Sequence, residues 1–338
     1  MTHDTTATGG APVPPRRLGK LVALGAAALA LAGGGWWWSQ RAIAPASDDV
    51  LIVGDQRGGV QALLKASGQL DHVPYKIEWA LFPAAAPLLE ALNSGAVDLG
   101  GIGGQPFAYA YAGGAKIRVV YASRSVNGLG SKASAIVVPG ASPLHRVEDL
   151  KGKRLATIRG SAGQDLALQL LEKHGLTAKD VQWVYLNNAE AKAALASGSA
   201  DAWSTWGAYV GYALIRDHQR ALADATDLPG GAGFYAASTK SIDRKRALIA
   251  DFTQRLSRAR VWVSTHKDDY AAVLAKETGL PLEVARFTVG DSITKAVPVD
   301  DRLKADELAI LERYKRAGII DKVPNLDGAF DGSFSIKP

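Results

Sequence analysis

Three glycine-rich turns contain the residues whose types and spacing could bind an anion. They are Gln56-Arg57-Gly58-Gly59, Gly103-Gly104-Gln105-Pro106 and Gly160-Ser161-Ala162-Gly163. Each turn follows a predicted strand and precedes a predicted helix, where ligands of parallel α/β sheets bind. Unpaired N–H groups and the dipole at a helix N-terminus favour negative charge. The turns together predict an anion site built from main-chain donors, although each turn alone is equally an ordinary strand–helix loop.

Three side chains near these turns could complete such a site. Trp203 and Trp206 lie in or just after a predicted strand whose counterpart earlier in the chain has Leu99 and Ile102. A tryptophan pair at a cleft rim would offer apolar surface to the organic part of a ligand, and core packing is the alternative. Arg124 could pair with an anionic head group, or be a solvated surface arginine.

The common enzyme motifs are absent from this sequence. It contains no G-x-S-x-G elbow, no G-x-x-x-x-G-K-[ST] loop, no H-E-x-x-H and no complete G-x-G-x-x-G. The six histidines are scattered along the chain, and there is no cysteine to form a disulfide, a thiolate metal site or a nucleophile. We therefore expect a protein without catalytic residues, metal or cofactor.

The elements that would position the turns occur twice, about a hundred residues apart. In the segments 92–99 and 195–202, a predicted helix ends in Ser-Gly, and an Asp follows at the start of a predicted strand. Two earlier helix ends, at Gly68 and Gly175, precede these segments in the same order. A glycine just past a helix end supplies the left-handed conformation that caps it. This repeat predicts two α/β lobes of similar topology with a cleft between them, the usual place for a ligand.

The alternation of strands and helices sets the expected division of the chain. Parallel βαβ units predict two Rossmann-like lobes, lobe one from residues 47–130 and 236–338 and lobe two from 131–235. The loop at 124–132 is the predicted first crossing, and the strand at 234–238 would complete a two-strand hinge. Helical periodicity in the C-terminal part predicts extra helices on lobe one.

The first 46 residues differ from the rest and predict an export segment. A polar, Pro-rich stretch leads to Arg16-Arg17 and Lys20, an apolar run follows at 21–32, and Ala44-Pro45-Ala46 fits an A-x-A cleavage site. The tryptophans at 36–38 fit instead the interface end of an uncleaved anchor. We expect residues 1–46 to be an export signal or an N-terminal anchor of a periplasmic protein.

The charge balance gives no indication of a nucleic-acid partner. Residues 1–46 hold four of the 39 basic and one of the 33 acidic side chains, so the remainder carries a net charge of about +3. The basic runs at 244–246 and at Arg255, Arg258 and Arg260 are typical of solvated helix faces. We expect a monomer that binds a small molecule.

Several stretches resemble the periplasmic aliphatic sulfonate-binding proteins of ABC importers, in a wider group with taurine-, nitrate- and thiamine-pyrimidine-binding proteins. The matching stretches are 75–79, 82–84, 88–98, 147–154 and Asp201-Ala202-Trp203-Ser204-Thr205-Trp206. The resemblance implies a type II periplasmic binding protein fold that closes on a small anion and delivers it to a membrane permease. It also implies ligand contacts from the turns and tryptophans, namely Gln56, Arg57, Gly58, Gly104, Gln105, Pro106, Ser161, Ala162, Trp203 and Trp206.

Two departures from the family pattern leave the exact ligand open. The family usually reads Gly-Asp-Thr-Pro where this chain has 103–106, and Trp-Asp-Pro-Tyr where it has Trp206-Gly207-Ala208-Tyr209. An acid is absent at both places, which could leave room for a bulkier or differently charged molecule.

The leading hypothesis is a non-enzymatic binding protein for a small organosulfur anion, such as an aliphatic sulfonate, taurine, or a sulfonate or sulfate ester. Nitrate or a thiamine pyrimidine precursor is the alternative ligand. An anchored sensory module on the same fold is a further alternative. A synthase on this fold would need clustered His and Cys ligands or a catalytic His, which the sequence does not show.

Overall fold

The computed structural model describes residues 49–290 and 293–334, which are built on two separate β-sheets. The export segment predicted at 1–46 lies outside the described residues. No helix within the described ranges has the length and apolarity that crossing a membrane requires.

Strands alternate with helices along most of the described chain, as the sequence predicted. The strands are β1 (Val50–Gln56), β2 (Lys76–Phe82), β3 (Leu99–Gly103), β4 (Ile117–Ser125), β5 (Ser134–Val138), β6 (Arg154–Thr157), β7 (Gln182–Tyr185), β8 (Ala202–Trp206), β9 (Arg220–Asp224), β10 (Gly233–Ser238) and β11 (Thr294–Val297). The helices are α1 (Gly59–Ala66), α2 (Ala85–Ser94), α3 (Gly104–Ala112), α4 (Ala162–Lys173), α5 (Asn188–Ala196), α6 (Ala208–Gly211), α7 (Thr239–Val263), α8 (Lys267–Thr278), α9 (Leu282–Gly290) and α10 (Asp301–Arg316).

The two sheets share one topology. The first sheet has the order β2-β1-β3-β10-β4-β11 and the second has the order β7-β6-β8-β5-β9. In each, a central strand pairs in parallel with two neighbours, and the strand that has just crossed from the other lobe inserts antiparallel beside them. The predicted α/β fold with two similar lobes is confirmed, and β11 adds an edge strand to lobe one that the periodicity did not indicate.

Two crossing segments join the lobes and pair with each other. The chain leaves lobe one through 126–133 and returns through 225–232. The N–H of Gly130 donates to Leu228 O at 3.0 Å, and the N–H of Gly230 donates to Gly128 O at 2.9 Å. The predicted boundary at residues 235/236 therefore falls inside β10, which pairs from Gly233 onward with the first sheet, so the return crossing lies before that strand.

The C-terminal helices cover lobe one, as predicted, but two of them also touch lobe two. Helix α7 packs on α1, β1, β4 and β10, and α8 packs on α1. Helix α9 continues from α8 to contact α6, and α10 lies against both α3 and α4. The last two helices therefore connect the lobes outside the hinge.

The repeated aspartate has the same structural role in both lobes. In lobe one the N–H of Ile52 donates to Asp98 Oδ2 at 2.8 Å, and the N–H of Asp98 donates back to Ile52 O at 2.9 Å. Arg154 and Asp201 make the same two bonds in lobe two, at 2.8 and 2.9 Å. Each aspartate thus fixes the start of its strand against the central strand of its sheet.

The two aspartates differ in the cation that neutralises them. Asp98 is buried and accepts from Lys245 Nζ at 2.7 Å and from Ser241 Oγ at 2.8 Å. Asp201 pairs with the half-exposed guanidinium of Arg154. The prediction that the basic run at 244–246 is a solvated face is wrong for Lys245, because that side chain is only 3% exposed.

We predict that Asp98→Asn lowers the free energy of unfolding by about 3–5 kcal/mol, because it leaves the buried Lys245 charge without a counter-ion. Asn still offers an oxygen to the Ile52 N–H, so the change isolates the charge. The matched variant Asp201→Asn removes a solvent-accessible pair and is expected to cost about 1 kcal/mol or less. Denaturant unfolding of both variants tests this difference, and equal losses would contradict the assignment.

Candidate functional site

A cavity of about 330 Å³ opens at the carboxyl ends of β1 and β3 in the first sheet, beside helix α1. Its wall is formed by the ends of β1 and β3, the start of β10, and side chains from α7, α8 and β11. We call it the arginine cavity, after its six polar side chains, Asp55, Gln56, Tyr235, Arg260, Tyr270 and Thr294.

The arginine cavity is surrounded by hydrogen-bond donors that have unused capacity. Arg260 Nη1 donates to Thr294 Oγ1 at 2.6 Å, whereas its buried Nε has no partner among the described residues. The buried hydroxyl of Tyr235, which belongs to the same lining, has no partner there either. A buried polar group without a partner costs about 1–3 kcal/mol. This arrangement is therefore well suited to a ligand that brings acceptor oxygens.

The protonation states of these groups are stable around neutral pH. Burial raises the pKa of Tyr121 and, more strongly, that of Tyr235, while the nearby charge of Arg260 opposes both shifts. Burial also raises the pKa of Tyr270 to about 12. Because arginine stays charged in proteins, the wall presents one permanent cation and protonated hydroxyls.

The first predicted turn does not offer its helix N-terminus to a ligand. The carboxylate of Asp55 accepts from the N–H of Val60 at 3.0 Å and of Gln61 at 2.8 Å, so the chain's own acid caps α1. Burial raises the pKa of Asp55 to about 6, and the hydrogen bonds from Gln61 and Val60 partly oppose that shift. Gly58 precedes α1 with φ +80°, a conformation that favours glycine.

The second turn is also satisfied within the protein. The N–H of Gly104 donates to Ala232 O at 3.0 Å, and Gln105 Nε2 donates to Asp165 Oδ2 at 3.3 Å. A Cβ at Gly104 would lie 2.3 Å from Glu307 Oε1, so a larger residue there requires the buried Glu307 side chain to move. Pro106 lies in the first turn of α3, as predicted.

The third turn caps its own helix. Ser161 Oγ accepts from the N–H of Gln164 at 3.2 Å and donates to Ile158 O at 2.6 Å, and the N–H of Gly160 donates to Gln164 Oε1. Ala162 lines a separate cavity of about 200 Å³ beside the hinge, together with Gln105. The prediction of free main-chain donors is therefore wrong for the N–H groups of Arg57, Gly104 and Gly160, which donate to Phe82 O, Ala232 O and Gln164 Oε1.

Trp206 lies at a third cavity, also of about 200 Å³, which faces both lobes. We call it the tryptophan cavity. It shares Gln56, Gly59 and Tyr270 with the arginine cavity. Arg57 Nη1 donates to the hydroxyl of Tyr209 across the lobes, and its guanidinium carbon lies 4.9 Å from the centre of the tyrosine ring.

Two predicted ligand contacts lie elsewhere. Trp203 is 1% exposed and packs in the core of lobe two, with its ring edge-to-face on Tyr209. Residues three apart in a strand point to opposite faces, which is why Trp203 is in the core and Trp206 at the cleft. Arg124 in β4 forms an ion pair with Asp306 of α10 and lines none of these cavities. Both assignments are corrected.

The sequence interpretation missed Arg260, Tyr121, Tyr209, Tyr235 and Tyr270. A signal for Arg260 was present, since Leu256, Ala259 and Val263 lie on the buried face of α7 and position 260 falls within that face. Because Arg260 belongs to a run of basic residues, the sequence analysis assigned it to a solvated helix face instead. Tyr209 stood in the family pattern at 206–209, which was a signal, whereas no comparable signal marked the other three tyrosines, whose strands and helices have the pattern of ordinary core.

Comparisons with known proteins give the family. The NMT1/THI5 like family profile matches residues 82–269. An aliphatic sulfonates-binding protein of Escherichia coli (strain K12) is 37% identical over 259 residues, which cover 76% of this chain and 80% of that protein.

Solved structures support the same family assignment. The alkanesulfonate-binding protein SsuA from Xanthomonas axonopodis pv. citri, bound to MOPS, superposes with a TM-score of 0.75 at 30% identity and covers 84% of this chain and 98% of that one. The desulfurization enzyme DSZB superposes with a TM-score of 0.60 at 17% identity over 85% of this chain and 97% of its own, which shows a shared fold only. The chain therefore belongs to the NMT1/THI5-like family, in the group of the periplasmic aliphatic sulfonate-binding proteins.

Proposed function

We propose that this protein is the solute-binding component of an ABC importer and captures a small organosulfur anion in the cleft between its lobes. The observation that carries the proposal is the arginine cavity, whose lining brings the guanidinium of Arg260 together with Tyr235, Tyr270 and Thr294. Its relatives bind aliphatic sulfonates or, in one solved complex, the sulfonate MOPS.

A sulfonate suits this wall because it brings three acceptor oxygens and a permanent negative charge. The guanidinium of Arg260 supplies a charge-assisted hydrogen bond, which is about twice as strong as a neutral one. The tyrosine hydroxyls can donate to the remaining oxygens. Arg260 lies in the last turn of α7, where the helix dipole stabilises a cation, so its position is favourable before a ligand arrives.

Binding in this account stabilises the closed arrangement of the lobes. Lobe one supplies the arginine cavity, and lobe two supplies Trp206 and Tyr209, so a bound ligand contacts both. A ligand shifts such an equilibrium only through its differential affinity for the two states. The paired segments at 126–133 and 225–232 are the proposed hinge.

We propose binding without catalysis. The chain has no cysteine to act as a nucleophile. Burial raises the pKa of Tyr235 and Tyr270, so these tyrosines of the arginine cavity are suited to orient an anion rather than to exchange protons with it. Membership of the family supports a permease partner and a periplasmic location. We propose a periplasmic monomer that delivers its ligand to an inner-membrane permease, and cell fractionation distinguishes a soluble form from an anchored one.

We predict that 1-hexanesulfonate binds the protein and that Arg260→Gln raises its Kd roughly ten- to a hundredfold. This factor corresponds to the loss of a hydrogen bond to a charged group, which contributes about 1.5–3 kcal/mol. Arg258→Gln is the matched control, since Arg258 is exposed on the same helix and bonds to Gln69. Isothermal titration calorimetry measures both. Binding of nitrate or a thiamine pyrimidine with no binding of any sulfonate would contradict the ligand class.

Affinity for an anion is predicted to fall as pH rises through about 6. Below that pH Asp55 is protonated and neutral, and above it the carboxylate repels an anion in the cavity that it lines. A repulsion of roughly 1 kcal/mol corresponds to an increase in Kd of about fivefold between pH 5 and pH 7.5. Asp55→Asn keeps an acceptor oxygen for the N–H groups of α1 and should make Kd independent of pH. A wild-type Kd that is flat across this range would contradict the prediction.

A further inference from the structure

The tryptophan cavity adjoins the arginine cavity, so a ligand held in one can extend toward the other. Gln56, Gly59 and Tyr270 line the two cavities in common. A sulfonate at Arg260 therefore has one neighbouring space within the cleft into which its organic group can extend. This step rests on the proposed function, because it takes the position of the anion from it.

The lining of the tryptophan cavity is suited to an uncharged organic group. Apolar and aromatic surface comes from Pro83, Trp206, Tyr209, Leu274 and Leu280. No aspartate, glutamate, lysine or histidine is among the described residues that line it. An ammonium group placed there would lose its hydration without gaining a carboxylate, which is costly.

Arg57 is the single charged residue of that lining, and it is already engaged. Its guanidinium bonds to the Tyr209 hydroxyl and lies over the tyrosine ring. Arg57 is exposed to solvent and also lines the cavity, so the Arg57–Tyr209 contact lies where the cavity meets solvent. Because the two residues come from different lobes, this contact forms only when the lobes are together.

The cavity volume limits the size of the group. A cavity of about 150 Å³ lined by apolar side chains holds one benzene molecule. The tryptophan cavity, at about 200 Å³, is therefore suited to a ring or chain of roughly six carbons. A longer group must displace the Arg57–Tyr209 contact.

We propose that the tryptophan cavity binds the uncharged organic group of the sulfonate and that the Arg57–Tyr209 contact sets the longest group accepted. Each added methylene that enters the cavity contributes about 0.8 kcal/mol, or roughly a fourfold lower Kd. That gain ends where the cavity is full. The length of the ligand's organic group therefore determines whether the Arg57–Tyr209 contact can form when the lobes close.

The test is a calorimetric series of linear 1-alkanesulfonates from ethane- to decanesulfonate. The wild type should gain about fourfold per carbon up to roughly hexanesulfonate and nothing beyond it. In Tyr209→Ala the gain should continue to longer chains, whereas Tyr185→Ala, which changes a partly exposed tyrosine outside this lining, should leave the break in place. The position of the break is the readout, so an overall loss of affinity in a variant does not obscure it.

A charge test uses taurine and 1-propanesulfonate, which differ mainly by an ammonium in place of a methyl group. The wild type should bind propanesulfonate at least tenfold more tightly. Ala208→Asp places a carboxylate at the cavity, at the first residue of α6, and should shift the ratio of the two affinities at least tenfold toward taurine. Ala208→Asn is the uncharged control and should leave the ratio unchanged.

The outcomes separate this inference from the proposed function. If sulfonates bind but Kd is independent of chain length, or taurine equals propanesulfonate in the wild type, the inference is overturned and the proposed function stands. If no alkanesulfonate binds, the proposed function fails first. A break that stays at the same length in Tyr209→Ala overturns the role of the contact alone.

Discussion

The proposed binding of an anion depends on one half-buried cation, the guanidinium of Arg260, whose Nε has no partner in the described chain. Helix α7 holds it in place. The same helix carries Lys245, whose buried pair with Asp98 fixes the helix to β3 and β1 about four helical turns away. A structural ion pair at one end of α7 thus positions a binding charge near the other end.

In the proposed site, lobe one contributes the charged and hydroxyl groups and lobe two contributes aromatic surface. Lobe one presents the cation and the protonated tyrosines, and its own acid, Asp55, occupies the N-terminus of α1. Lobe two presents Trp206 and Tyr209. Asp55 and Ser161 cap the N-termini of α1 and α4 from within, so the side-chain cation has no strong competitor at those two helix termini.

The repeat in the sequence predicted the fold because it reports local geometry. Asp98 and Asp201 each tie a strand to its neighbour through the same pair of bonds, and Gly95 and Gly198 have φ +78° and +73° after their helices. Such short-range constraints appear directly in the residue order. The alternation of helices and strands was also predictable, because it too depends on local sequence patterns.

The site was only partly predictable, because it depends on contacts between distant residues. The turns were placed correctly at the ends of their strands, but whether their N–H groups are free depends on Asp55, Ala232 and Gln164. Trp203 and Trp206 could have been separated by strand alternation. Arg260 required the buried face of α7 to be followed through a run of basic residues.

A crystal structure with 2-bromoethanesulfonate would test the central claim most directly, since anomalous scattering locates the bromine and hence the direction of the ligand. The account predicts sulfonate oxygens within hydrogen-bond distance of Arg260 and bromine in the tryptophan cavity beside Trp206. A sulfonate bound beside Ala162 in the hinge cavity, with Arg260 untouched, would contradict it.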